Sequence, residues 1–227
     1  MTLGRVQRVL EHLYDVELEH DVEDFVVDAE EAREAAGDDA VARREVLLVR
    51  EDSDGVAVGL YVDAEAVRCL GAGDGDVWSD HRFDAACLVT EGVSHFVYLL
   101  FRASSAGDVS ALELELQAEV DKYATGLLAG NGAGVVVARE REQRRRELVA
   151  RSRALRRRLF EEPELLDDRG TEAGDRYRAA IGLASRFAEH LEHTYVARGD
   201  LVALAGALRR FYRLGGQAKI AETRRGR

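Results

Sequence analysis

Residues 82–103 read RFDAACLVTEGVSHFVYLLFRA and residues 110–128 read SALELELQAEVDKYATGLL. The first stretch carries an unbroken helical pattern, and the second opens on Ser110 with Glu113 three positions later, the signature of a capping box. Two successive helices with a short connection are therefore expected. Residues four apart project from one face of a helix, so Glu91 and His95 can present a carboxylate and an imidazole side by side. The second stretch adds Glu113, Glu115, Glu119 and Asp121. An antiparallel return would let Glu119 join Glu91 and His95 around a single metal ion.

Upstream of this pair, Val6, Val9, Leu10, Leu13 and Tyr14 form one helical stripe, which predicts a first helix. Phe25-Val26-Val27 reads as a short strand, and Ala29 to Ala36 as a helix stopped by Gly37. Val46–Val49 and Val56–Val62 flank Asp52-Ser53-Asp54-Gly55, which predicts a β-hairpin whose glycine supplies the positive φ of the turn. Asp63 can cap a further helix running through Leu70, ahead of a Gly/Asp loop from Gly71 to Asp76.

Downstream, glycines 130, 132 and 134 close the second helix. An arginine-rich helix follows from about Val136 to Phe160, broken at Pro163, and then helices from Ala173 to Val196 and from Leu201 to Leu214. The glycines after Leu214 read as a helix stop, and the tail from Arg224 as frayed. The fold class expected is α+β and mostly helical, with a small N-terminal antiparallel sheet and an all-helical C-terminal half.

The residues quoted above resemble the ImmA/IrrE-type zincin-like metallopeptidases, in which an H-E-x-x-H helix precedes a helix reading roughly E-A-N-x-F-A. Here the first helix reads Glu91-Gly92-Val93-Ser94-His95 and the second Glu119-Val120-Asp121-Lys122-Tyr123-Ala124. His95, Glu119, Asp121, Tyr123 and Ala124 fall on family-like positions, with Arg82-Phe83 a looser echo upstream. The resemblance covers roughly residues 5 to 128. It implies a zincin-like domain over residues 1–130, with residues 131–227 as a helical extension packed on it.

Two departures change the expected chemistry. Glu91 stands where the family has its first ligand histidine, and Gly92 where it has its general base, so this position can neither take nor give a proton. A Glu91/His95/Glu119 set could still hold zinc, or a harder ion such as manganese or iron, since carboxylate oxygens suit those metals. Hydrolysis would need another base, and Glu115, one turn before Glu119, is the nearest by helix geometry. Three readings follow. The first is a degenerate zincin-like regulatory or protein-interaction module, with or without bound metal. The second is an active metal-dependent peptidase or hydrolase using the same ligands. The third is nucleic-acid binding through the arginine helix.

Composition bears on the last of these. The 227 residues carry a net charge of −11, while residues 139–158 hold ten Arg and three Glu. The helix places Leu148, Leu155 and Leu159 on one stripe, so an amphipathic helix docked by its apolar face is the simpler reading. No aromatic interleaves the arginines to stack on bases, and an acidic protein partner, or the acidic N-terminal half, suits the charge better. Gly92 reads as a close helix crossing. His190 and His193 could ligate a metal or simply be solvated. Cys69 and Cys87 lack the spacing of a zinc knuckle or disulfide framework and are expected reduced and buried. The charged first residues give no secretion signal, and His95 and Arg102 interrupt the longest apolar stretch, so no membrane span and a cytoplasmic location are expected.

Overall fold

The structure, a computed structural model, describes residues 2–53, 55–71, 75–78, 81–105, 107–129, 138–163 and 169–224. It is a mostly helical α+β fold: one antiparallel hairpin near the N-terminus, and helices throughout the C-terminal half. Two compact units are present, one comprising Met1–His12 and Val16–Ala106, the other Leu13–Asp15 and Gly107–Arg227.

In the first unit, α1 (Leu3–Tyr14) buries Val6 and Leu10 as its stripe requires, but Val9 is 43% exposed. The expected strand at Phe25-Val26-Val27 is instead a 3₁₀ turn, Val22–Phe25, followed by extended residues. Asp21 caps that turn by accepting from Glu23 N–H, which commits Phe25 to the turn. What survives of the strand is a parallel bridge from Val26 to Leu60, with Val27 N–H donating to the Leu60 carbonyl. Helix α2 (Ala29–Ala36) has a full capping box between Asp28 and Glu31, and Gly37 ends it at φ 83° before the short α3 (Asp38–Ala42).

Strands β1 (Glu45–Asp52) and β2 (Gly55–Val62) form the expected hairpin, with Glu45 opposite Val62 and Asp52 opposite Gly55. Gly55 takes φ 141°, as the turn chemistry anticipates; Asp54 lies outside the described residues. The hairpin's tip is solvated at Val49 and Val56, and its base is buried at Glu45, Leu60, Tyr61 and Val62. Helix α4 (Ala64–Gly71) starts where Asp63 accepts from Glu65 N–H. It packs, with both strands, against α5 (Phe83–Ser104), the core helix of this unit. By length and composition α5 is long and apolar enough to cross a membrane, contrary to the expectation that His95 and Arg102 would interrupt it. Of its most apolar window, 61% is buried inside the protein, the mark of a core helix.

The second unit is built on α6 (Ala111–Leu128), buried along nearly its whole length. Ser110 caps it by accepting from Glu113 N–H. Around it pack α7 (Ala138–Arg156), which passes into a π-helical turn at Arg157–Glu161, α8 (Glu172–Thr194) and α10 (Gly216–Arg224). Helix α9 (Leu201–Arg213) joins through Phe211, whose ring stacks on Phe187 of α8 with centroids 4.1 Å apart. The stop expected at Gly215-Gly216 lasts only a residue or two, because burial of Lys219 and Thr223 makes a further helix worthwhile. The glycines at 130, 132 and 134, the start at Val136, residues 72–74 of the Gly71–Asp76 loop and the tail beyond Arg224 lie outside the described residues.

Candidate functional site

Helix α5 buries Ala86, Val89, Val93, Phe96 and Val97, and this fixes its rotation. His95 is itself buried at 8% exposure, while Glu91, one turn earlier, is half-buried. His95 Nδ1 lies 3.3 Å from Oε1 of Glu45, the first residue of β1. Gly92 makes room for that approach. A Cβ at this position would stand 2.9 Å from Glu45 Cγ, 3.1 Å from Val62 Cγ2 and 3.3 Å from Glu45 Oε1. The glycine therefore marks a close contact with the hairpin, not the helix crossing its sequence suggested.

On α6, in the second unit, Glu115 and Glu119 have different surroundings. Glu115 is half-buried and pairs with Arg176 at 3.9 Å within the unit. Glu119 is buried and takes a 2.5 Å hydrogen bond from Lys122 Nζ, which also donates to the Tyr177 hydroxyl at 3.3 Å. Asp121 and Tyr123 of the same segment are also engaged by hydrogen bonds. Asp121 accepts from Tyr14 OH and, at 2.7 Å, from Gln117 Nε2, and Tyr123 OH meets Ser152 Oγ at 2.8 Å.

By donor type, Glu91 and His95, four residues apart on α5 in the first unit, are side chains that can ligate a metal ion. A carboxylate and an imidazole suit zinc, manganese or iron. Gly92 brings no carboxylate of its own, and the acid beside His95 is Glu45, a residue sequence reasoning missed. The signal available was an acid directly ahead of the apolar run Val46-Leu47-Leu48-Val49.

The arginine helix docks by Leu148, Leu155 and Leu159, all buried. Many of its cations have partners inside the second unit. Arg145 and Arg146 pair with Glu142, and Arg156 Nη1 reaches Glu192 at 3.5 Å and Nη2 reaches Glu189 at 3.8 Å. Arg151 donates to the Gly126 carbonyl and Arg145 to that of Ala197. His193 is exposed; His190 is half-buried and sits 3.5 Å from Thr194 Oγ1. Cys69 and Cys87 form no disulfide and are half-buried where burial was expected.

No protein-family model, curated protein or solved structure matches the chain.

Proposed function

We propose that this protein is a metal-binding regulatory or protein-interaction module of degenerate zincin-like type, without peptidase chemistry. Glu91 and His95, both on α5, supply the helix-borne pair of ligands. The observation that carries this reading is the pair of neighbours on α5: an imidazole at His95 and no side chain at Gly92. A carboxylate–imidazole set retains affinity for a divalent cation after the proton-transfer residue is gone, because binding needs donors while hydrolysis also needs a base. Glu119, with its ammonium partner Lys122, is better suited to holding α6 together than to ligating a metal. The exposed Arg141, Arg144 and Arg157 of the second unit suit an acidic protein surface.

The test is metal content and zinc titration of the purified full-length chain. One zinc per chain is expected, with affinity lowered at least about tenfold by His95→Ala and by Glu91→Gln. Failure of the wild-type chain to bind zinc, manganese or iron would end the metal reading. Metal-dependent cleavage of a peptide library, lost in Glu115→Gln, would replace the non-catalytic reading with that of a hydrolase.

A further inference from the structure

We infer that Glu45 is the positioning residue of His95, and that Gly92 is a glycine so that this carboxylate can reach the ring. The inference rests on the metal reading above, and its geometry lies wholly within the first unit.

The carboxylate is directed at the ring by the sheet. Glu45 opens β1, paired with Val62 at the buried base of the hairpin, so its side chain is delivered to the face of α5. A carboxylate buried there needs a donor, and His95 Nδ1 at 3.3 Å provides one. An ionised carboxylate only accepts hydrogen bonds, so Nδ1 must carry the hydrogen. In the neutral ring the lone pair then sits on Nε2, the nitrogen able to ligate a metal. The same hydrogen bond fixes the ring plane and makes the imidazole a better donor. Glu45 touches no metal in this scheme; it acts through His95.

Gly92 is the other half of the arrangement. A Cβ there would come within 2.9 Å of Glu45 Cγ and 3.1 Å of Val62 Cγ2. Val62 is β-branched and buried at the strand end, so it has little freedom to move. Glu45 has three rotatable side-chain bonds and would be the one to yield, leaving Nδ1. The residue that reads in the sequence as a lost base is thus the gap through which another carboxylate approaches.

Histidine-15N-labelled full-length protein, with His95→Gln to assign the resonance, tests this by long-range 15N–1H correlation at about pH 8, where a free imidazole is neutral. His95 is expected as the Nδ1–H tautomer in the wild type. Glu45→Gln should keep it, because the amide oxygen still accepts, while Glu45→Ala and Gly92→Ala should lose the preference. Zinc affinity should fall about 10- to 100-fold in Glu45→Ala and Gly92→Ala, and less in Glu45→Gln. An Nε2–H tautomer in the wild type overturns the inference, and that measurement needs no variant at Glu45 or Gly92 to fold. So does an unchanged tautomer and zinc affinity in folded Glu45→Ala. A wild type that shows the Nδ1–H tautomer, lost in Glu45→Ala, but binds no zinc fails the metal reading and leaves the positioning of His95 standing.

Discussion

Lys219 Nζ donates to Oε1 of Gln117, and neither side chain has any solvent exposure. The contact ties the last helix, α10, to the middle of α6. Gln117 in turn donates through Nε2 to Asp121, which also receives the Tyr14 hydroxyl. The amide thus stands between a buried amine and a buried carboxylate, offering each the end of its dipole that it needs. The rings of Phe211 and Tyr212 flank the Lys219 amine at 4.9 and 5.7 Å.

Truncating Lys219 should therefore be costly. Lys219→Ala removes a buried chain and leaves Gln117 Oε1 without its donor, a loss of about 3 kcal/mol. Lys219→Met refills most of the volume but not the hydrogen bond, and about 1–2 kcal/mol is expected. Urea denaturation followed by far-UV circular dichroism measures both. A loss within about 0.5 kcal/mol in Lys219→Ala would mean that α10 is not held by this contact.

Alkaline pH should weaken the second unit through its buried phenols. Burial, and then the nearby Asp121 carboxylate, push the Tyr14 hydroxyl well above its ordinary value of 10.0, and burial pushes Tyr123 up as well. With the folded value raised above the unfolded one, these groups contribute fully below about pH 10. Above it the unfolded chain releases protons that the folded chain retains, so stability declines as pH rises. The slope approaches about 1.4 kcal/mol per pH unit for each tyrosine. Tyr14→Phe and Tyr123→Phe should each flatten the fall between about pH 10 and 11, read from urea midpoints across that range; identical slopes in wild type and variants would contradict it.

The hairpin was legible because its signals are local: alternating apolar runs, a turn with Gly55, and a cap at Asp63. The helices α5 and α6 were equally plain from periodicity and Ser110. What escaped were relationships between residues far apart in sequence. Glu45 and His95 are separated by a helix, a loop and a strand, and nothing local to either names the other. Helix α10 was hidden because Gly215-Gly216 is a genuine stop by local chemistry, and only the tertiary burial of Lys219 restarts the chain. The Glu119–Lys122 contact, by contrast, joins residues three apart within one motif.

That pair makes a separate expectation. Glu119 and Lys122 are both buried, so removing one leaves the other charged and desolvated. Glu119→Leu and Lys122→Met should each cost about 3 kcal/mol, while the double variant should cost clearly less than their sum, since a buried pair exchanged for apolar side chains is often close to neutral. Denaturation of the four proteins closes the cycle. Additive losses would show that the two groups do not depend on each other.

The arginine helix can be tested by comparing two glutamates. Glu192 is buried on α8 and accepts from Ser152 Oγ at 2.6 Å, with Arg156 at 3.5 Å, whereas Glu142 is exposed and pairs with Arg145 and Arg146. Hydrogen bonds from Arg145 and Arg146 draw the Glu142 carboxyl from its ordinary 4.5 down to about 2. A depressed carboxyl favours folding above its unfolded value, and that contribution disappears as pH falls from about 4.5 toward 2. Water and salt surround Glu142, so Glu142→Gln should leave stability nearly unchanged at neutral pH and in added salt. Glu192→Ala instead strips a buried acceptor from Ser152 and a counter-charge from Arg156, and about 3 kcal/mol should be lost, largely independent of salt. If the arginines served a nucleic acid instead, Glu192→Ala would be mild, and the wild-type chain would retain DNA or RNA at low salt with affinity falling steeply as salt is added.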